Sequence, residues 1–244
     1  MQHIIQQLQN QLQQHANPKT KAWFDNYLKG AISYYGVKTP QVKTLVKQWY
    51  LKNHLQSLPI AEQVSLCQQL MQLPYAEEKF AAIIYMQQYL LQQMSSQQLL
   101  DLCEWVFKNN CIDDWSTADW FTIRVIANIL TNDMQSLPTI QQWSQSKSLW
   151  QRRASIVAMR VLVKNEAYIE VIAQTIDVLV DDSQRFIQTG IGWTLSDLSK
   201  YFPKRAAAIV EQYFDLLSQE VINRHTKYLP NHSEYKKRKR KNSF

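Results

Sequence analysis

Phe80 to Val106 reads FAAIIYMQQYLLQQMSSQQLLDLCEWV, and this stretch decides the fold. Phe80, Ile83, Ile84 and Leu91 recur at three-and-four spacing, and a short loop then leads into Leu99, Leu102 and Val106 at the same spacing. That period puts apolar side chains on one face of a helix, whereas a half-buried strand would alternate every second residue. Two helices with a tight connection are expected here. Upstream the pattern continues through Leu66, Leu70 and Met71, Val42 to Trp49, Trp23 to Leu28, and Ile5, Leu8 and Leu12. Downstream it runs through Phe121 to Ile129, Ile140 to Leu149, Arg152 to Val163, Tyr168 to Val180, Phe186 to Leu198 and Ala206 to Leu217. Asn17-Pro18, Thr39-Pro40, Leu73-Pro74, Leu137-Pro138 and Phe202-Pro203 break it, as turn formers should.

An all-α chain follows, with roughly a dozen short helices and no strand pattern. Helix pairs of this length stacked in series make an α-solenoid of HEAT-like or armadillo-like repeats, and a compact bundle is the alternative. Composition points the same way. The chain has 244 residues, 45% of them hydrophobic, yet only 4 Gly and 7 Pro, too few for a turn-rich β-sandwich. Residues 1–230 are expected to form a single domain. Residues 231–244, NHSEYKKRKRKNSF, lose the periodicity and are expected to be a basic, disordered tail.

Charge is unevenly placed. The net charge is +7, and Lys236 to Lys241, KKRKRK, supplies six of the positive charges, leaving the rest of the chain at +1. A body that binds a polyanion must therefore do so through a local patch. Cys67, Cys103 and Cys111 form no CxxC pair and have no histidine at ligand spacing, so they read as buried thiols in a reducing compartment. Neither a metal nor a cofactor is expected. The first residues, MQHIIQQLQNQLQQH, form a polar amphipathic helix without a signal-peptide core, and no stretch has the apolar length of a membrane span. A soluble, cytoplasmic monomer is the expectation.

Four short motifs carry candidate chemistry. In SYYGVKTPQVKTL, Thr39 reads as an N-cap with Pro40 at the first helical position. Lys38, Lys43 and Lys47 surround that helix start, which suits a phosphate as well as it suits an ordinary solvated helix. DDWSTADWFTIR, Asp113 to Arg124, has Trp115 and Asp119 one turn apart on one face. One of the leading aspartates serves as the cap. Asp119 is a poor interior helix residue, and beside an indole its carboxylate is partly desolvated. Core tryptophan with an exposed aspartate competes with a functional pair. In LWQRRASIVAMR, Arg152 and Arg153 lie at a helix entry, where the macrodipole favours anions rather than cations. A visiting phosphate would explain them, as would surface arginines covering apolar neighbours. Finally, Gly190 and Gly192 interrupt the helix of FIQTGIGWTLSDL just before Trp193. A notch for a neighbouring helix competes there with close approach of a ligand.

Together, in this order and across roughly residues 5–225, the four motifs resemble those of the AlkD-like DNA glycosylases, HEAT-like-repeat enzymes that excise alkylated bases. The resemblance implies a solenoid whose concave groove holds double-stranded DNA. It implies that Trp115, Asp119 and Trp193 contact the damaged nucleotide, that Arg153, with Arg152 beside it, grips backbone phosphate, and that Lys38, Thr39 and Lys43 contact phosphates. Ser196 and Thr189 stand where the family commonly carries an arginine and a lysine, a departure that should weaken DNA binding. The expected activity is excision of cationic purines such as N7-methylguanine or N3-methyladenine without a base-flipping pocket. The alternative is a catalytically inactive HEAT-like module binding DNA or a protein through its concave face.

Overall fold

In the computed structural model, which describes residues 1–241, the chain is all-α. Two compact units divide at Asp133 and Met134. In the first, the helices are α1 (Gln2–Gln14), α2 (Pro18–Leu28), α3 (Thr39–Lys52), α4 (Ile60–Met71), α5 (Ala76–Gln88), α6 (Ser96–Lys108), α7 (Trp115–Phe121) and α8 (Ala127–Asn132). In the second they are α9 (Leu137–Gln142), α10 (Leu149–Ala158), α11 (Ile169–Leu179), α12 (Arg185–Tyr201), α13 (Pro203–Gln212), α14 (Gln219–His225) and α15 (His232–Lys241). Among the described residues the one extended pairing is an isolated bridge between Ser33 and Tyr75. Among the described residues no helix is long and apolar enough to cross a membrane.

The first unit is organised around α5. Ala76 through Met86 are all buried, as suits a helix enclosed by neighbours on every side. It packs on α3, α4 and α7. Trp49 of α3 is fully buried, and its indole N–H donates to the Ile4 carbonyl of α1 at 2.8 Å. Each such side chain contributes about 1.5–3 kcal/mol through area removed from water. Helix ends follow the sequence signals. Asn17 caps α2 ahead of Pro18, and Ser95 forms a capping box with Gln98. Cys67, Cys103 and Cys111 are buried free thiols whose pKa burial pushes up.

Between α7 and α8 the chain makes a π-helical turn, Thr122–Ile126. TIRVI is β-branched at four of five positions, which crowds a regular helix. The altered backbone is supported locally. The Thr122 hydroxyl donates to the Ala118 carbonyl at 2.7 Å, and the Asn128 amide donates to the Arg124 carbonyl at 2.9 Å. The expected helix from Phe121 to Ile129 is thus helical throughout and irregular in pitch.

In the second unit α12 is central, packed against α10, α13 and α14. Its glycines are the points of closest approach. A Cβ at Gly190 would meet Ile156 Cγ2 at 3.3 Å, and one at Gly192 would meet the His225 ring at 2.7 Å. The notch reading accounts for both. The expected helix from Ile140 to Leu149 is instead interrupted after Gln145, and α10 begins at Leu149 with Ser148 as its cap.

The last segment differs from the expected disordered tail. His232–Lys241 is helical, and Tyr235 is only 2% exposed. The cause is tertiary: one aromatic anchor within a charge run gives no periodic signal, yet it packs on Phe214. Residues 242–244 of that segment lie outside the described residues.

Candidate active site

The two aspartates that open α7 divide their roles. Asp114 is the cap, accepting hydrogen bonds from the backbone N–H groups of Ser116 at 2.7 Å and Thr117 at 3.1 Å. The Thr117 hydroxyl donates to its other carboxylate oxygen. Burial pushes the Asp114 carboxyl above its ordinary value, against those hydrogen bonds. Asp113 is exposed. Trp115 then starts the helix, and Asp119 follows one turn later, 8% exposed.

Trp115 is half-buried and has an aromatic neighbour that sequence reasoning did not assign to the site. Tyr27 of α2 meets it nearly perpendicular, with ring centroids 5.5 Å apart. Tyr27 stacks in turn on Trp23, and these two rings are 55% and 57% exposed. Their i,i+4 spacing in KAWFDNYL was visible, but it reads equally as core. Exposure separates the two readings.

The loop before α3 is built by a buried carboxylate. Glu77 accepts from the backbone N–H groups of Tyr35 at 3.0 Å, Gly36 at 2.8 Å and Val37 at 2.9 Å. Burial raises its pKa, and the hydrogen bonds from Tyr35, Val37 and Gly36 act against that rise. Gly36 has φ +95°, and an added Cβ would run into the Asn17 carbonyl oxygen. Only glycine fits there. Tyr34 of the same loop places its hydroxyl 3.3 Å from the Ser116 hydroxyl, which ties the loop to the start of α7. Lys38 is the cap residue of α3, its carbonyl accepting from Gln41 and Val42. Thr39, expected as the N-cap, is the first helical residue, with Pro40 after it. The shift is one residue: the backbone carbonyl of Lys38 accepts the first helical hydrogen bonds. Thr39 is half-buried, while Lys38, Lys43 and Lys47 are exposed on this helix start.

In the second unit Arg152 has internal work. Its guanidinium pairs with Asp182 at 2.9 Å and donates to the carbonyls of Ser146 at 2.8 Å and Lys147 at 3.0 Å. It fixes the turn before α10. Arg153, 5% exposed, donates to the Phe186 carbonyl and to the Thr189 hydroxyl at 3.2 Å. Thr189 therefore acts as an acceptor that orients Arg153.

Trp193 is half-buried beneath a cation. The guanidinium carbon of Arg160 lies 3.5 Å from the centre of its ring, and Arg160 pairs with Asp197 at 2.5 Å. Lys200 also pairs with Asp197, at 2.6 Å. Burial works to raise the Asp197 pKa, but the hydrogen bonds from Lys200 and Arg160 prevail and hold it low. Trp193 and Asp197 repeat the four-residue spacing of Trp115 and Asp119, an echo legible in GWTLSD beside DWSTAD. Ser196 is buried. Arg160 thus brings a cation to Trp193 from the turn after α10.

The structure accordingly sets Trp115 against Tyr27 with Asp119 one turn further along α7, gathers Lys38, Thr39 and Lys43 on α3 and its cap, and places Arg152 and Arg153 at the packed ends of α10 and α12. Arg160, Asp197 and Tyr27 are the residues added.

A family model described as DNA alkylation repair enzyme matches residues 8–233. Among solved structures, the chain resembles a predicted DNA alkylation repair enzyme from Enterococcus faecalis, with TM-score 0.77 and 22% identity over 88% of this chain and 97% of that one. It also resembles AlkD2 from Streptococcus mutans, with TM-score 0.54 and 16% identity over 82% of this chain and 97% of that one. At these identities the likeness speaks to fold. No curated protein matches the chain.

Proposed function

The chain belongs to the DNA alkylation repair enzyme family, and from that premise we propose that it is a DNA glycosylase excising cationic alkylated purines from duplex DNA. The carrying observation is Trp115 and Asp119 on consecutive turns of one helix, the carboxylate largely buried and the indole half-open. Asp114 already satisfies the helix start, so capping does not explain Asp119.

A purine alkylated at N7 or N3 already carries positive charge. When its bond to the sugar C1′ breaks, the electron pair moves onto the base and neutralises it. No general acid has to protonate the leaving group. Positive charge then develops at C1′ and the ring oxygen, where the Asp119 carboxylate stabilises it electrostatically. Water adds at C1′ and loses a proton, leaving an abasic site and a neutral free base. Trp115 and Trp193 pack against the nucleotide, and an indole face attracts a cationic base by about 0.5–2 kcal/mol. Arg160 already covers one face of Trp193, so its opposite face and edge are what the nucleotide can use.

In this reading HEAT-like stacking of helix pairs forms a concave groove for the duplex. Lys38, Thr39 and Lys43 meet phosphates at the start of α3, and Arg153 meets one at the start of α10. Arg152 holds the preceding turn. The base stays largely stacked, so no snug pocket limits adduct size, unlike enzymes that flip the base.

The second reading, a module that binds DNA or a protein partner without chemistry, draws on Ser196 and Thr189 in place of cations. Arg160 over Trp193 weakens it, because a cation is present there after all. Incubating the protein with duplex DNA containing N7-methylguanine and counting alkali-labile abasic sites tests the proposal. Abasic sites at the lesion support a glycosylase. A folded protein that binds the duplex and produces none supports the second reading.

A further inference from the structure

α15 carries six consecutive cations, and the fold uses them unequally. Arg238 stacks its guanidinium carbon 3.5 Å from the centre of the Phe214 ring and pairs with Glu211 at 2.7 Å. Lys239 donates to the carbonyls of Phe214 at 2.9 Å and Asp215 at 3.0 Å, just beyond the end of α13. Tyr235 is buried against Phe214, and His232 shares a 2.8 Å hydrogen bond with Thr226. These residues dock the helix. Lys237, Arg240 and Lys241 are exposed and Lys236 is half-buried, and among the described residues none of the four is ion-paired.

Helical spacing sets Lys236 beside Arg240 and Lys237 beside Lys241, and like charges at i,i+4 repel. A free peptide of this sequence would resist forming a helix. Here the docking residues hold four uncompensated cations in one strip, a local field that an array of anions would relieve. The family match ends at residue 233, before this strip.

We propose that α15 is a docked, sequence-independent contact for the phosphate backbone of duplex DNA, in which Tyr235, Arg238 and Lys239 fix the helix and Lys236, Lys237, Arg240 and Lys241 meet phosphates. It rests on the reading of the protein as a duplex-DNA enzyme. A docked strip presents its charges preorganised, which distinguishes it from a loose cationic tether of the same composition.

The test uses the full chain and an undamaged duplex, with affinity measured across a salt series. Four proteins are compared: the wild type, a triple variant K237Q/R240Q/K241Q, Tyr235→Ala, which keeps every charge and removes the anchor, and the conservative Tyr235→Phe. Each phosphate that goes unneutralised should flatten the slope of log K against log salt by about 0.9, so the triple variant should lose about 2–3 units of slope. Tyr235→Ala should also lose affinity and slope, while Tyr235→Phe retains both. Circular dichroism shows whether the remainder of each variant is folded. An unchanged slope in the triple variant overturns the proposal. Tyr235→Ala binding like wild type, with the triple variant weakened, also overturns it by making the charges a loose tether. Effects confined to an RNA probe would assign the strip to another polyanion and sink it equally. A wild type that binds no duplex would instead defeat the functional reading beneath it.

Discussion

Trp115 and Trp193 are each followed four residues later by an aspartate. Asp197 is committed to Arg160 and Lys200, so its charge is neutralised within the fold. Asp119 is the carboxylate assigned to the chemistry. Asp197→Asn should therefore leave base release within a few-fold of wild type while costing about 1–3 kcal/mol of stability, as expected when hydrogen bonds to charged groups are removed. Denaturant melts and a single-turnover assay on the same preparation check both halves. Loss of chemistry at unchanged stability would reverse the assignment. Arg153→Ala should weaken binding to every duplex sequence and flatten its salt slope by about 0.9, the share of one phosphate; an unaltered slope would leave Arg153 a purely structural residue. His225 supplies a pH effect. Burial, then the neighbouring Arg224, holds its pKa below 6.5, so the unfolded chain takes up the proton first. Stability should then fall as pH drops below about 6.5 and rise again towards neutrality. A His225→Gln variant whose melting temperature keeps the full wild-type slope from pH 7 to 5 would rule this out.

The helices were the most legible part of the sequence, because prolines and three-and-four spacing mark their ends and faces without help from tertiary structure. The motifs within them were legible in part. An aspartate cap for α7 followed from residue type without deciding between Asp113 and Asp114, and a helix notch at the α12 glycines was one of two readings, since the depth of each notch depends on the neighbouring helix. That depth gives an unequal pair of predictions. Alanine in a helix is about 1 kcal/mol better than glycine. At Gly190 the closest neighbour would be 3.3 Å away, and Gly190→Ala should be within about 0.5 kcal/mol of neutral because the gain offsets the squeeze. At Gly192 the His225 ring at 2.7 Å must move, and overpacking of about 1–3 kcal/mol outweighs the gain. Thermal melts of the two variants decide; equal melting temperatures would contradict the packing described. The π-helical turn after α7 was missed, since β-branched crowding only raises its chance and the Asn128 amide that supports it reads as an ordinary surface residue. Arg160 was missed for a different reason: its partners lie 33 and 37 residues further along the chain, at Trp193 and Asp197.

For the whole molecule, charge and chemistry separate. Outside Lys236–Lys241 the chain sums to +1, so on the proposed function general attraction to DNA comes from a few placed cations and the α15 strip, while the proposed reaction uses one carboxylate and its aromatic neighbours. Binding and base release should accordingly respond to different substitutions. The Trp115–Asp119 spacing on which the proposed chemistry rests is legible in the sequence. It misjudged the tail, because a run of six cations hides a helix anchored by one tyrosine on a ring 21 residues earlier. The measurement that tests the central claim most directly is single-turnover release of free base from a duplex containing N7-methylguanine, with wild type and Asp119→Asn compared at matched DNA binding. The account predicts release by the wild type and its loss in the variant, with affinity for the duplex nearly unchanged. Equal release by both proteins would contradict it.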